Sequence, residues 1–158
     1  MAEIVGLTAS VFTLAGAAAT VSLKVYDFID TIRHAKEELE TLALETSGLS
    51  TVLDHLGAVL EESKDFVTSS TIETTKILTS RCTMKVKELE VTVDLIQAKA
   101  TGTRWLLRKR KTLEMKLSLE GFKSTLSLII QTITLGKILK MNDNSQISPK
   151  PATRCILT

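Results

Sequence analysis

The first 148 residues contain no proline, because the two prolines of this 158-residue chain are Pro149 and Pro151. Proline lacks an amide hydrogen and its ring clashes with the preceding helical turn, so its absence leaves long helices uninterrupted. Large apolar residues recur at gaps of three and four, the spacing of one helical face. Only the Thr-rich residues 67–75 offer a competing strand pattern. We therefore predict an all-α fold.

The spacing predicts four long helices, over residues 3–33, 35–62, 70–101 and 103–141. Ser70 and Glu73 have the spacing of a capping box at the start of the third helix. Short connections make an antiparallel bundle the expected architecture. We predict a single helical domain over residues 1–141, followed by a flexible tail over residues 142–158.

The predicted core follows from the same spacing. The first helix contributes one apolar stripe, and each of the other three contributes another. Their members are Ile4, Leu7, Val11, Leu14, Ala18, Val21, Val25, Phe28 and Ile32; Leu39, Leu42, Leu49, Val52, Leu53, Leu56, Val59 and Leu60; Leu78, Cys82, Val86, Leu89, Val93 and Ile96; and Met115, Leu119, Phe122, Leu126, Ile129 and Ile133.

The first helix has two properties that bear on function. Residues 4–23 carry no formal charge, and the side opposite the apolar stripe bears small or weakly polar residues. Such a helix can be buried in a soluble bundle or in lipid without stranding a charge. Both interpretations stay open on the residues alone. The side chains that would enter a membrane are Ile4, Leu7, Val11, Leu14 and Val21.

The chain contains few residues of the types that usually act as nucleophiles, bases or metal ligands in enzymes. The chain has two histidines, His34 and His55, and two cysteines, Cys82 and Cys155, with no metal-ligand spacing among them. No glycine-rich phosphate loop is present. We predict a protein that is not an enzyme, with no cofactor and no metal site, in a reducing compartment.

Charge is densest in residues 104–111, which contain five basic residues and no acidic one. We refer to this segment as the basic cluster. One interpretation is a solvated helix start whose bases face the acidic second helix. Another is contact with anionic lipid headgroups, since each base near a membrane contributes about 1 kcal/mol. Nucleic-acid binding has weak support, because no aromatic platform accompanies the short run. The candidate headgroup residues are Arg104, Trp105, Arg108, Lys109, Arg110 and Lys111.

The last four residues, from Cys155 to Thr158, have the form of a prenylation box. Threonine is not among its usual final residues, so a chance C-terminal cysteine is the competing interpretation. A lipid on Cys155 would give a second anchoring route, independent of the first helix.

Three segments resemble the HeLo-like N-terminal domain of fungal STAND proteins, which are NACHT-type receptors. These are the opening Met-Ala-Glu-Ile-Val-Gly-Leu-Thr-Ala-Ser-Val-Phe-Thr-Leu-Ala-Gly with Val-Tyr-Asp-Phe-Ile-Asp at 25–30, the tryptophan and bases at 105 and 109–111, and Phe-Lys-Ser-Thr-Leu-Ser-Leu at 122–128. The resemblance covers about residues 1–140. Two departures are Leu106, where the family has proline, and the absence of a NACHT module after the bundle.

The resemblance implies an effector or signalling module of fungal incompatibility and cell death, which self-associates and whose first helix targets membrane. We expect a cytoplasmic protein that is recruited to the plasma membrane, with anionic lipids and a second helical N-terminal domain, or another copy of itself, as partners. The alternative is a soluble helical protein–protein interaction module, adaptor or regulatory, without membrane activity.

Overall fold

The computed structural model describes residues 2–29, 36–98 and 103–145. Within these ranges, the structure does not describe the side chains of Phe28, Ile96, residues 103–109 and residues 144–145. The predicted tail therefore lies largely outside the described ranges, as do His34 and Cys155.

Four helices make up the described chain. They are α1 (Ala2–Ile29), α2 (Lys36–Glu62), α3 (Ser69–Ala98) and α4 (Thr103–Ser145). The all-α prediction is confirmed, and no described residue lies in a strand. Because each residue adds 1.5 Å, α4 is about 65 Å long, whereas the other helices are roughly 40–45 Å long. Residues 142–145, which we expected to begin the tail, continue α4.

The two hairpins of the bundle are α1–α2 and α3–α4. Successive helices run antiparallel, as predicted, and α1 lies beside α2 and α3 while α4 lies beside the same two helices on the other side. No described part of α2 lies beside α3. These two helices are therefore diagonal, and the connection over residues 63–68 crosses the end of the bundle.

The hairpins meet through parallel helix pairs. Glu3 and Lys24 of α1 contact Lys76 and Glu90 of α3, in the same order along both helices. Glu45 and Glu62 of α2 likewise pair in order with Lys123 and Lys137 of α4. Sequence spacing could not indicate this parallel pairing, because helices α1 and α3 are not consecutive.

The core consists almost entirely of the predicted stripes. Every predicted core residue whose side chain is described is buried, except Val52, Val59, Leu78 and Phe122, which are partly buried against the core. Packing of apolar side chains, rather than helix propensity, therefore holds together helices that contain many threonines.

The start of α3 differs from the prediction. Thr68, not Ser70, is the N-cap residue, because its hydroxyl oxygen accepts a hydrogen bond of 3.2 Å from the amide of Thr71. Ser70 lies inside the helix. The Ser70–Glu73 capping box is therefore wrong: the Thr68 hydroxyl caps the helix two residues earlier.

Candidate functional site

The buried face of α1 contains the membrane-insertion candidates. Ile4, Leu7, Val11, Leu14 and Val21 are each 4 % exposed or less. In this bundle they are core residues. They would reach a membrane only if α1 moved away from its neighbours.

The outward face of α1 is exposed and uncharged from Ile4 to Leu23. Its polar groups are hydroxyls that already have partners: Ser10, Thr13 and Thr20 donate hydrogen bonds of 2.9 Å to the carbonyl oxygens four residues earlier. A hydroxyl that is hydrogen-bonded within its own helix pays only a small desolvation free energy when it leaves water, because its hydrogen bond is kept. The outward face can therefore also enter an apolar environment at low cost.

The length and composition of α1 satisfy the criteria for a membrane span over Ala2–Asp27, with a mean hydropathy of 1.8. A core helix of a soluble protein satisfies the same criteria. In this bundle, 44 % of the apolar stretch of α1 that meets these criteria is buried. Large side chains do not enclose α1 on all sides, so the bundle leaves one face of the candidate span at the surface.

Buried serines join α1 to α2. The Ser22 hydroxyl donates to the carbonyl oxygen of Ala43 at 2.9 Å, and the Ser50 hydroxyl donates to that of Ala15 at 2.9 Å. Both serines are buried. Small side chains allow the two backbones to approach closely enough for these bonds, a pattern also typical of helix pairs in membranes. The apolar spacing did not reveal these serines.

Phe12 and Gly57 form a second close contact between α1 and α2. A Cβ atom built on Gly57 would lie 2.7 Å from the Phe12 ring. A side chain at position 57 would therefore displace the ring, which is partly exposed at 39 %.

Ion pairs hold the two ends of α1 to α3. Glu3 pairs with Lys76 at 2.5 Å, and Lys24 pairs with Glu90 at 2.7 Å. The hydrogen bond from Lys76 lowers the pKa of Glu3, and the hydrogen bonds to Glu3 and Glu90 raise the pKa values of Lys76 and Lys24 respectively. All these groups are solvent-accessible, so each pair is weak.

An open groove of about 690 Å³ separates part of α1 from α3 near the first ion pair. Gly6 and Ser10 line one side, and Thr79 and Thr83 line the other. Thr79 is 5 % exposed, and its hydroxyl has no hydrogen-bond partner among the described residues. Packing between α1 and α3 is thus looser than packing between α1 and α2.

Two members of the basic cluster have described side chains, and both have acidic partners. Arg110 pairs with Glu114 at 3.3 Å within α4, and Lys111 pairs with Glu88 of α3 at 3.3 Å. Hydrogen bonds from Lys85 and Lys111 lower the pKa of Glu88. For Lys111, the expectation of a partner on α2 is wrong, because this part of α4 lies against α3. The side chains of Arg104, Trp105, Arg108 and Lys109 lie outside the described residues.

The described residues contain no group of three or more His, Cys, Asp or Glu side chains that could hold a metal ion. Burial raises the pKa of the Cys82 thiol to about 12, so this thiol is protonated and unreactive near neutral pH. Cys82 acts as a small core residue, as its position on the apolar stripe of α3 predicts.

An exposed apolar stripe on α4 was not predicted. Its side chains are each about half to two-thirds exposed: Leu113 55 %, Leu117 59 %, Leu128 61 %, Leu135 59 %, Ile138 49 % and Leu139 64 %. We refer to these six residues as the α4 stripe. The signal was present in the sequence, because these residues lie opposite the core positions of the same helix.

The described residues thus form a bundle of four helices, with an uncharged outward face on α1 and exposed apolar side chains on α4. The family model of the pigment biosynthesis cluster protein PigL N-terminal domain matches residues 2–148, and the chain belongs to this family. The match agrees with the resemblance to a fungal helical N-terminal domain. No curated protein and no solved structure matches the chain.

Proposed function

We propose that this protein is a non-enzymatic effector or signalling domain that self-associates and targets a membrane through α1. The observation that carries the proposal is the two-sided character of that helix. One face is an apolar stripe in the core, and the other is uncharged, exposed and internally hydrogen-bonded. Both faces are therefore compatible with hydrocarbon.

Release of α1 into water is not part of the proposal, because it is too costly. Seven large apolar side chains of α1 are buried. Exposing each of them to water costs about 1.5–3 kcal/mol of hydrophobic free energy. Their sum, roughly 10–20 kcal/mol, matches or exceeds the free energy of unfolding of a typical domain, about 5–15 kcal/mol. Lipid must accept the apolar stripe as it leaves the core, so we expect α1 to move only at a membrane surface.

The exposed face of α1 provides a test that leaves the core intact. Ala9 and Thr13 are exposed and lie one turn apart, so A9E/T13E adds two carboxylates without disturbing packing. Each charge at the centre of a bilayer costs about 2.5–3.5 kcal/mol on the insertion scale. We expect wild-type protein to release dye from vesicles that contain anionic lipid, and A9E/T13E to lose this activity by tenfold or more.

The matched control is S47E/T51E on α2. Ser47 and Thr51 are also exposed, and the Thr51 hydroxyl donates to the Ser47 carbonyl just as that of Thr13 donates to Ala9. Circular dichroism and thermal melting verify both folds. Equal leakage from the two variants, or none from wild-type protein, would overturn membrane targeting by α1. A protein that associates but ignores vesicles would instead support the soluble interaction module.

A further inference from the structure

We propose that the α4 stripe is the surface through which two copies of this chain form an antiparallel, two-fold symmetric dimer. The inference rests on the self-association in the proposed function and deepens it by naming the surface. No described helix of the same chain lies against the stripe, because α2 and α3 occupy the other sides of α4. From Leu113 to Leu139 the stripe is about 39 Å long.

The order of residues along the stripe favours a second copy as its occupant. Four of its five leucines are arranged symmetrically about the level of Leu126: in an antiparallel pair Leu113 lies opposite Leu139 of the second copy, and Leu117 lies opposite Leu135. A two-fold interface requires such self-complementarity, because the same patch serves both partners. An unrelated partner would not require it.

The centre of the stripe pairs a large side chain with small ones. In the same register Leu128 lies opposite Ser124 of the second copy. Gly121 is one turn before Ser124, and a Cβ atom built on it would meet nothing within 4 Å. A shallow depression marks this position, and it is lined by Glu120, Lys123, Ser124, Ser127, Leu128 and Gln131. Leu128 of each copy can therefore insert beside the small residues of the other.

Charge and area agree with this pairing. The register brings Arg110 of one copy near Asp143 of the other, at both ends of the interface, and both residues are exposed. Each stripe residue offers roughly 100 Å² of apolar surface, which gives about 600 Å² per copy before polar neighbours, against ~800 Å² per partner in a standard interface.

The first test measures the mass of the full chain by analytical ultracentrifugation without lipid. We expect wild-type protein to be a dimer and L128E to be a monomer. The matched control is M84E, since Met84 on α3 is 63 % exposed and Leu128 is 61 % exposed. We expect M84E to remain dimeric. S124K in the L128E background places opposite charges across the pair and should restore the dimer.

The second test determines orientation. In a C82A/C155S background, L113C and L139C are prepared separately, mixed and oxidised. An antiparallel dimer gives disulfides chiefly between the two variants, whereas a parallel dimer links each variant to itself. Monomeric wild-type protein, or self-linked variants, would overturn the inference. Vesicle leakage is measured separately, so a stable dimer without leakage would overturn the membrane step alone.

Discussion

At the scale of single residues, the contact between Phe12 and Gly57 makes a testable prediction about stability. An alanine Cβ at position 57 would overlap the Phe12 ring, so G57A should lower the free energy of unfolding by about 1 kcal/mol or more. In an F12A background the overlap is gone. There, G57A should raise the free energy of unfolding by about 0.5–1 kcal/mol, the usual gain of alanine over glycine within a helix.

Gly48 provides the control for this cycle, measured by urea denaturation. A Cβ at position 48 would lie 3.5 Å from the Lys123 side chain, which is an ordinary contact. G48A should therefore stabilise the protein by about 0.5–1 kcal/mol with or without Phe12. The same effect of G57A in both backgrounds would show that the ring does not restrict position 57.

The Cys82 thiol makes a second prediction at this scale. With its pKa raised from 9.0 to about 12, it holds roughly a thousandfold less thiolate at neutral pH than an unperturbed thiol. In C155S, where Cys82 is the only thiol, a disulfide reagent should modify the native protein only as fast as the bundle opens. Denaturant should release one reactive thiol per chain. Immediate modification of the native protein would contradict burial as the cause.

At the scale of helices, Glu88 makes the contact between α3 and α4 dependent on pH. Its pKa is lowered in the folded chain, so its contribution to stability is present above the unfolded value of about 4.3 and is lost as the pH falls through the folded value. We expect E88Q to reduce the loss of stability between about pH 5 and pH 2. Thermal melting across this range measures the effect.

Lys111 supplies the complementary variant. K111Q removes one of the two cations that lower the pKa of Glu88, so it should reduce the same slope less than E88Q does. Combining K111Q with E88Q should add little further change to the slope, because the shared carboxylate is already absent. If the effects of K111Q and E88Q on the slope were fully additive, Lys111 would act on the pH dependence through a group other than Glu88.

The sequence predicted helices and core well, because both depend on a local signal, the spacing of apolar residues along one chain segment. Val11 and Leu126 are buried at the positions where the spacing places them. The lateral order of helices depends on contacts between distant segments, such as Lys24 with Glu90, and no local pattern encodes it. The serines between α1 and α2 escaped prediction because a buried hydroxyl has the same sequence signal as an exposed one.

At the scale of the whole molecule, the ion pairs between α1 and α3 affect local opening of α1 within the bundle, whereas burial of its apolar stripe opposes full release. Lys24 lies between two carboxylates of α3, 2.7 Å from Glu90 and 3.5 Å from Asp94. K24E would bring three acids together. We expect hydrogen exchange in the C-terminal half of α1 to become several-fold faster in K24E, and vesicle leakage to increase.

The swap K24E/E90K tests whether charge is the cause. It restores opposite charges across the contact while leaving the core unchanged, so exchange in α1 should return toward the wild-type rate. Persistent fast exchange in the swapped variant would show that Lys24 acts through packing of its aliphatic chain instead. Increased leakage without faster exchange would separate membrane activity from the mobility of α1.

The diagonal connection over residues 63–68 has a consequence for assembly of the fold. It joins the two antiparallel hairpins. These hairpins contact each other through two helix pairs, α1 with α3 and α2 with α4. A chain cut between Lys64 and Asp65 keeps both hairpins whole. We expect the two fragments, each poorly ordered alone, to recombine on mixing into a helical complex by complementation, with the circular dichroism of the intact chain as the reference.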